Sequence, residues 1–207
     1  MIDLRRRTVL LLSIAALALG AGCAAGATAQ GMTAGPAARA PAEGPLRGAV
    51  AVLPVRGGRA THRLLGSRIA GSDFEQALVE SLRLAAFLAP SEAEARFALQ
   101  AEIVEAETVD HNPLLVVTDT SQTVDSTIHY LLTDRRSGAV LLDRRIEVPY
   151  TAPGHTSMIT EKRNQLAQEG SARESIETLL DELAAIRATE PDAAGAPDAG
   201  APEATPE

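Results

Sequence analysis

The rhythm of apolar and polar positions changes several times along the chain, and each change marks an element. Residues 49–55, Ala-Val-Ala-Val-Leu-Pro-Val, form a continuous apolar run short enough to be a buried strand, with Pro54 marking its end or an edge. From residue 74 the period lengthens: Phe74, Ala77, Leu78, Leu82 and Ala85 recur at helical spacing. Ser72 and Glu75 have capping-box spacing, Asp73 favours the positive end of a helix dipole, and Pro90 predicts the stop. Strict alternation takes over at Phe97, Leu99, Ala101 and Ile103, with Gln100 and Glu102 on the opposite face. After a polar stretch at 110–113, two more alternating runs follow, Val124 to Leu132 and Val140 to Tyr150. Asp134-Arg135-Arg136-Ser137-Gly138 between them reads as a hairpin turn in which Gly138 supplies a positive φ. Strand parity points His129 to solvent. The last element, about 159–186, carries Ile176, Leu179, Leu180, Leu183 and Ile186 on one stripe. Ser171 and Glu174 repeat the capping-box spacing after Gly170, so this helix is expected either to break or to restart there.

The order βαβββα predicts an α+β fold: a single two-layer domain at 46–187, with a largely antiparallel sheet of about four strands and two main helices on one face. That span is long enough for a real core. With three Phe, two Tyr and no Trp in the chain, aliphatic side chains must fill it.

The flanks differ in kind. Arg5, Arg6 and Arg7 precede the apolar run 9–19, which is too short for a permanent membrane helix and has the order of a secretory signal. Gly20-Ala21-Gly22 supplies a cleavage region directly before Cys23, the single cysteine of 207 residues, which can form no internal disulfide. Acylation gives that residue a purpose; the alternative is an ordinary signal cut after the Ala-rich stretch around Ala25 to Ala29, with Cys23 discarded. Arg6-Arg7 also permits twin-arginine export beside the general route. Residues 24–45 are mostly Ala, Gly, Pro and Thr and read as a disordered tether, and 188–207 read as an acidic disordered tail. The expected organisation is therefore 1–22 signal peptide, 23–45 lipidated cysteine and tether, 46–187 domain, and 188–207 tail.

Net charge is −8, which with an export signal argues against a nucleic-acid partner. Within this acidic chain, residues 44–72 contain no Asp or Glu while Arg56, Arg59, Arg63 and Arg68 cluster around a Gly-Gly step. Guanidinium forks in such a segment suit phosphate or carboxylate groups, as in lipid A or anionic headgroups; a plain solvated loop is the competing reading. The nucleophile-elbow, zinc-helix and phosphate-loop motifs are absent, and His62, His111, His129 and His155 are dispersed, so no catalytic residue, metal site or cofactor is expected.

The segment ending at Cys23 resembles a bacterial lipoprotein signal, in which the cysteine becomes the acylated N-terminus. Ala at position 24 implies sorting to the outer membrane. The strand at 49–55, the helix opening Ser72-Asp73-Phe74, the segment 96–103, the hairpin 127–141 and the closing 171–176 resemble small proteobacterial envelope lipoproteins. These include the lipopolysaccharide-assembly lipoprotein, the TolB N-terminal domain, and the CsgG-like and penicillin-binding-protein-activator group. The resemblance implies a non-enzymatic accessory protein, anchored by acyl chains on the periplasmic face of the outer membrane and docking on an envelope complex. Outer-membrane assembly or lipopolysaccharide transport is the favoured role, a scaffold or regulator of peptidoglycan synthesis the second, and an envelope enzyme the third.

Overall fold

The computed structural model describes residues 26–35, 40, 44–58, 68–109, 121–157 and 159–186. A short helix α1 (Ala29–Met32) is followed by β1 (Val50–Val52), β2 (Arg56–Gly57), α2 (Gly71–Leu84), β3 (Phe97–Val109), β4 (Gln122–Asp134), β5 (Val140–Ala152), a 3-10 turn (Gly154–Thr156) and α3 (Thr160–Ala185). The sheet runs β1-β3-β4-β5, with β2 also pairing β3 beyond the end of β1. β1 and β2 lie parallel to β3, and the three long strands form an antiparallel meander. The architecture is the expected α+β sandwich, with a fifth, two-residue strand and a third helix added.

Period two decides the faces. Phe97, Leu99, Ala101 and Ile103 of β3 are buried, as are Val124, Ile128, Tyr130 and Leu132 of β4. A β-bulge at Val104 shifts the register with β4, so that Ala106 rather than Glu105 turns back toward the core. The hairpin after β4 turns through Gly138 at φ 73°, as its sequence requires. Asp134 holds this corner together. Its carboxylate accepts from Arg96 Nη2 at 2.8 Å and from the Arg136 backbone N–H at 2.8 Å.

Three local expectations are corrected. The Ser72/Glu75 capping box does not form: α2 begins at Gly71 without a side-chain cap, and the Glu75 carboxylate accepts from the Val55 N–H at 2.9 Å, tying the strand end to the helix. The helix ends at Leu84, well before Pro90, in a Schellman turn. There the Phe87 N–H reaches the Leu82 carbonyl and the Ala86 N–H that of Arg83, with Ala86 left-handed at φ 62°. Finally, α3 runs unbroken through Gly170 and Ser171. Gly170 is needed for close approach, since a Cβ there would fall 2.3 Å from the Tyr150 ring.

The largest correction concerns the tether. Within residues 24–45, the described part is packed on the fold: Ala27, Met32, Ala34 and Ala40 are buried in the main core with Leu46, and α1 lies against α2 and α3. Low hydrophobicity misleads here because small side chains fit a narrow seam between two helices, where the backbone is held by specific polar contacts.

Candidate functional site

Both β3 and β5 run toward the end of the sheet at which α3 begins, and α2 and α3 run back from it. The described residues of interest lie between that end and the middle of β3, where Gly57 pairs with Ile103. Gly57 and Gly58, both at positive φ, leave no room for side chains. A Cβ on Gly57 would lie 2.2 Å from the Ile103 carbonyl oxygen, and one on Gly58 would lie 2.9 Å from that of Ile69. The chain thus leaves at Gly58 and returns at Arg68 through a closed neck.

Of the predicted anion-binding residues, Arg56 and Arg68 therefore flank one neck, while Arg59 and Arg63 lie outside the described residues, as does Cys23. Arg56 is exposed. Its guanidinium sits 3.1 Å from the Gln100 side-chain oxygen, with that amide oriented to accept. Arg68 is half-buried, and its carbonyl faces the Ala27 N–H at 3.4 Å. Arg47, part of the same acid-free stretch, is at the opposite end of β1 and does not join them.

A polar node not foreseen from the sequence fixes the N-terminal segment. Glu169 on α3 is only 7% exposed. Its Oε1 accepts from the Thr28 N–H at 3.0 Å, the Thr28 hydroxyl at 2.8 Å and Gln165 Nε2 at 2.9 Å. Gly31 sits over the carboxylate so closely that a Cβ would clash with it, and Arg173 donates to the Gly31 carbonyl at 3.2 Å. Gln165, Glu169 and Arg173 follow at four-residue steps, one helix face apart from the apolar stripe. This is the signal that could have revealed the node: a buried helix with polar residues on a second regular stripe has a polar partner.

Beside it, hydroxyls bridge sheet and helix. Ser171 donates to the Val148 carbonyl at 2.7 Å, so the contact between Ser126 and Ser171 must use the Ser126 proton. Tyr130 OH meets Ser175 at 3.0 Å, and burial pushes its phenol far above the ordinary range. These groups satisfy one another in the interior and have the character of packing. His129 contacts Asp143 at 2.7 Å on the open sheet face, and among the described residues no group of three or more His, Cys, Asp or Glu side chains is placed to hold a metal ion. Nor is any described helix long and apolar enough to cross a membrane.

No protein-family model and no curated protein matches the chain. Among solved structures, a hypothetical protein from Chlamydia trachomatis is similar at TM-score 0.47 and 15% identity, covering 68% of this chain and 99% of that one. A minor lipoprotein from Acinetobacter baumannii gives TM-score 0.44 and 11% identity over 67% of this chain and 94% of that one. A protein from Xanthomonas campestris gives TM-score 0.44 and 12% identity over 70% and 86%.

Proposed function

We propose that this chain is the precursor of a small non-catalytic lipoprotein, acylated at Cys23. In this reading its domain acts as a docking component of an outer-membrane assembly or lipopolysaccharide-transport machine. The observation that carries the reading is the packing of residues 26–34. A signal cut after Thr28 or Ala29 would remove Thr28 and strip a buried carboxylate, Glu169, of two of its three donors, and a cut after Ala27 would leave Thr28 as a charged amino terminus at that carboxylate. Cleavage before Cys23 keeps that node whole and leaves the cysteine as the first residue. Stable anchoring takes more than one acyl chain, which a diacylglyceryl cysteine provides.

The same packing bears on the choice of partner. A scaffold reaching for peptidoglycan gains from a long tether, whereas the described fold of this chain begins at residue 26, three after Cys23. A partner embedded in the same membrane fits better. Cys23→Ala should abolish acyl labelling and release the protein from the membrane fraction; membrane association that persists, with no acyl label on the wild type, would contradict the reading. Capture from detergent-solubilised envelope should recover a β-barrel translocon, and recovery of a penicillin-binding protein would favour the scaffold instead. If the basic segment contacts anionic groups, Arg56→Glu with Arg63→Glu should weaken binding to anionic vesicles at low salt without unfolding the domain. Unchanged binding across the salt range would leave the segment as a solvated loop.

A further inference from the structure

The sheet ends on β5, a strand of 13 residues with β4 on one side only. The Asp134 N–H donates to the Ala139 carbonyl, so the even-numbered residues of β4 direct their backbone groups at β5. In the register Ser126↔Val148, Ile128↔Ile146 and Tyr130↔Arg144, the even-numbered residues of β5 meet them. Asp143, Arg145, Glu147, Pro149 and Thr151 therefore direct their backbone groups outward, and among the described residues nothing bonds to them there. An open row of this length is a template for another strand, which proteins commonly blunt with a proline or a bulge. Here those devices sit toward the two ends. Leu141 is the extra residue of a bulge, since Leu142 pairs with Leu132 and Val140 with Thr133, and Pro149 withholds an N–H near the other end. Between them the edge is unguarded.

That open stretch is complementary to itself. The side chains of Arg145 and Glu147 are exposed on the face of the sheet away from the helices, and among the described residues neither forms an ion pair. When two copies of β5 meet antiparallel about a two-fold axis at Ile146, Arg145 falls opposite the partner's Glu147, and by symmetry the same pair forms again. Arg145 and the partner's Glu147 also exchange both backbone bonds, while Asp143 loses only the bond that the partner's Pro149 cannot donate. On the helix side, Leu142 and Tyr150, both partly exposed at the edge, come together. Other registers are poorer. An axis at Asp143, Arg144, Arg145 or Glu147 sets that charge against itself, and one at Leu142 or Val148 leaves Arg145 with no carboxylate opposite.

We infer that the free edge of β5 takes a second copy of this chain, pairing antiparallel from Leu142 to Tyr150 about a two-fold axis at Ile146. The two sheets then run on as one, with both helix layers on the same side. Such an interface is closed, so a dimer forms and no larger assembly grows from this edge. The inference does not depend on acylation of Cys23.

The test is sedimentation of the full chain in density-matched detergent, with Arg145→Glu and Glu147→Arg as variants. The wild type should pass from monomer to dimer as concentration rises, and a chain that stays monomeric up to about 100 µM overturns the inference. Each variant alone sets like charges opposite at both symmetric pairs and should self-associate about tenfold more weakly than wild type. Both positions are exposed, so the urea midpoint of each variant should match wild type. An equimolar mixture of the two variants places carboxylates opposite guanidiniums throughout and should recover dimers at the wild-type level, which also shows that both are folded. Variants that dimerise as well as wild type, a mixture no better than either alone, or a larger ring in place of the dimer would each overturn the pairing.

Discussion

Single residues hold this fold at places where composition alone gives no warning. Glu169 is the clearest: one buried carboxylate oxygen receives three donors, two of them from Thr28, which is 141 positions away in sequence. Removing Thr28's hydroxyl leaves the other two donors, so Thr28→Ala should cost about 1 kcal/mol, and Glu169→Ala about 2 to 3 kcal/mol, in urea unfolding. A neutral outcome for Glu169→Ala would show that α1 is not held there. Ala86 carries the opposite sign. It is a non-glycine residue in the left-handed position of a Schellman turn, so Ala86→Gly should raise stability by up to about 1 kcal/mol. Asp134 gives a pH signature. The Arg96 guanidinium, and after it the Arg136 N–H, hold its carboxyl below the usual range. The ionised form is thus favoured by folding. Its contribution is complete above the ordinary carboxylate pKa of about 4 and is lost as pH falls through the lower folded value. Asp134→Asn should remove that part of the acid limb from a stability-versus-pH profile, and an unchanged limb would show that the corner does not depend on the charge.

At the scale of elements, the strands were readable and the helix ends were not. Period-two patterning placed Leu99 inward and Gln100 outward, and the burial agrees. Leu99→Ala should accordingly cost about 2 to 5 kcal/mol, and Gln100→Ala under about 0.5 kcal/mol, by thermal or urea unfolding. Similar losses at both sites would mean the faces are misassigned. The capping boxes failed as predictors because Glu75 and Ser171 find tertiary partners, the Val55 N–H and the Val148 carbonyl, which local spacing cannot anticipate. The bulge at Val104 was equally hidden, since alternation on each side of it reads as regular strand. Gly170 looked like a helix break and is instead a contact point. Gly170→Ala improves helix propensity by about 1 kcal/mol, yet crowding the Tyr150 ring should outweigh it and leave a net loss of about 1 to 2 kcal/mol. Combining it with Tyr150→Ala should cancel most of the clash, and a pair of losses that simply add would argue against direct contact.

For the whole molecule, the decisive feature is that the N-terminal segment belongs to the domain. The sequence placed an anchor at Cys23 and a sandwich farther on, and read the Ala- and Gly-rich stretch between them as a spacer. In its described part that stretch lies in the seam between α2 and α3, where small side chains let backbones approach and polar contacts to Glu169 and Arg173 fix the register. Composition could not reveal this, because the stabilising partners are far off in sequence, from Ser81, 47 positions from Ala34, to Arg173, 142 positions from Gly31. The candidate anion site was legible only as a charge pattern: its two described members, Arg56 and Arg68, flank a neck built by Gly57 and Gly58, while Arg47 is carried elsewhere by the direction of β1. The central claim is that maturation leaves Cys23, acylated, as the first residue of a chain whose next few residues are already part of the fold. The most direct measurement is the mass of the N-terminal peptide of the mature protein purified from the envelope. The account predicts a peptide that begins at Cys23 and carries acyl chains. A peptide with an unmodified amino terminus at any position from 26 to 30 would contradict it.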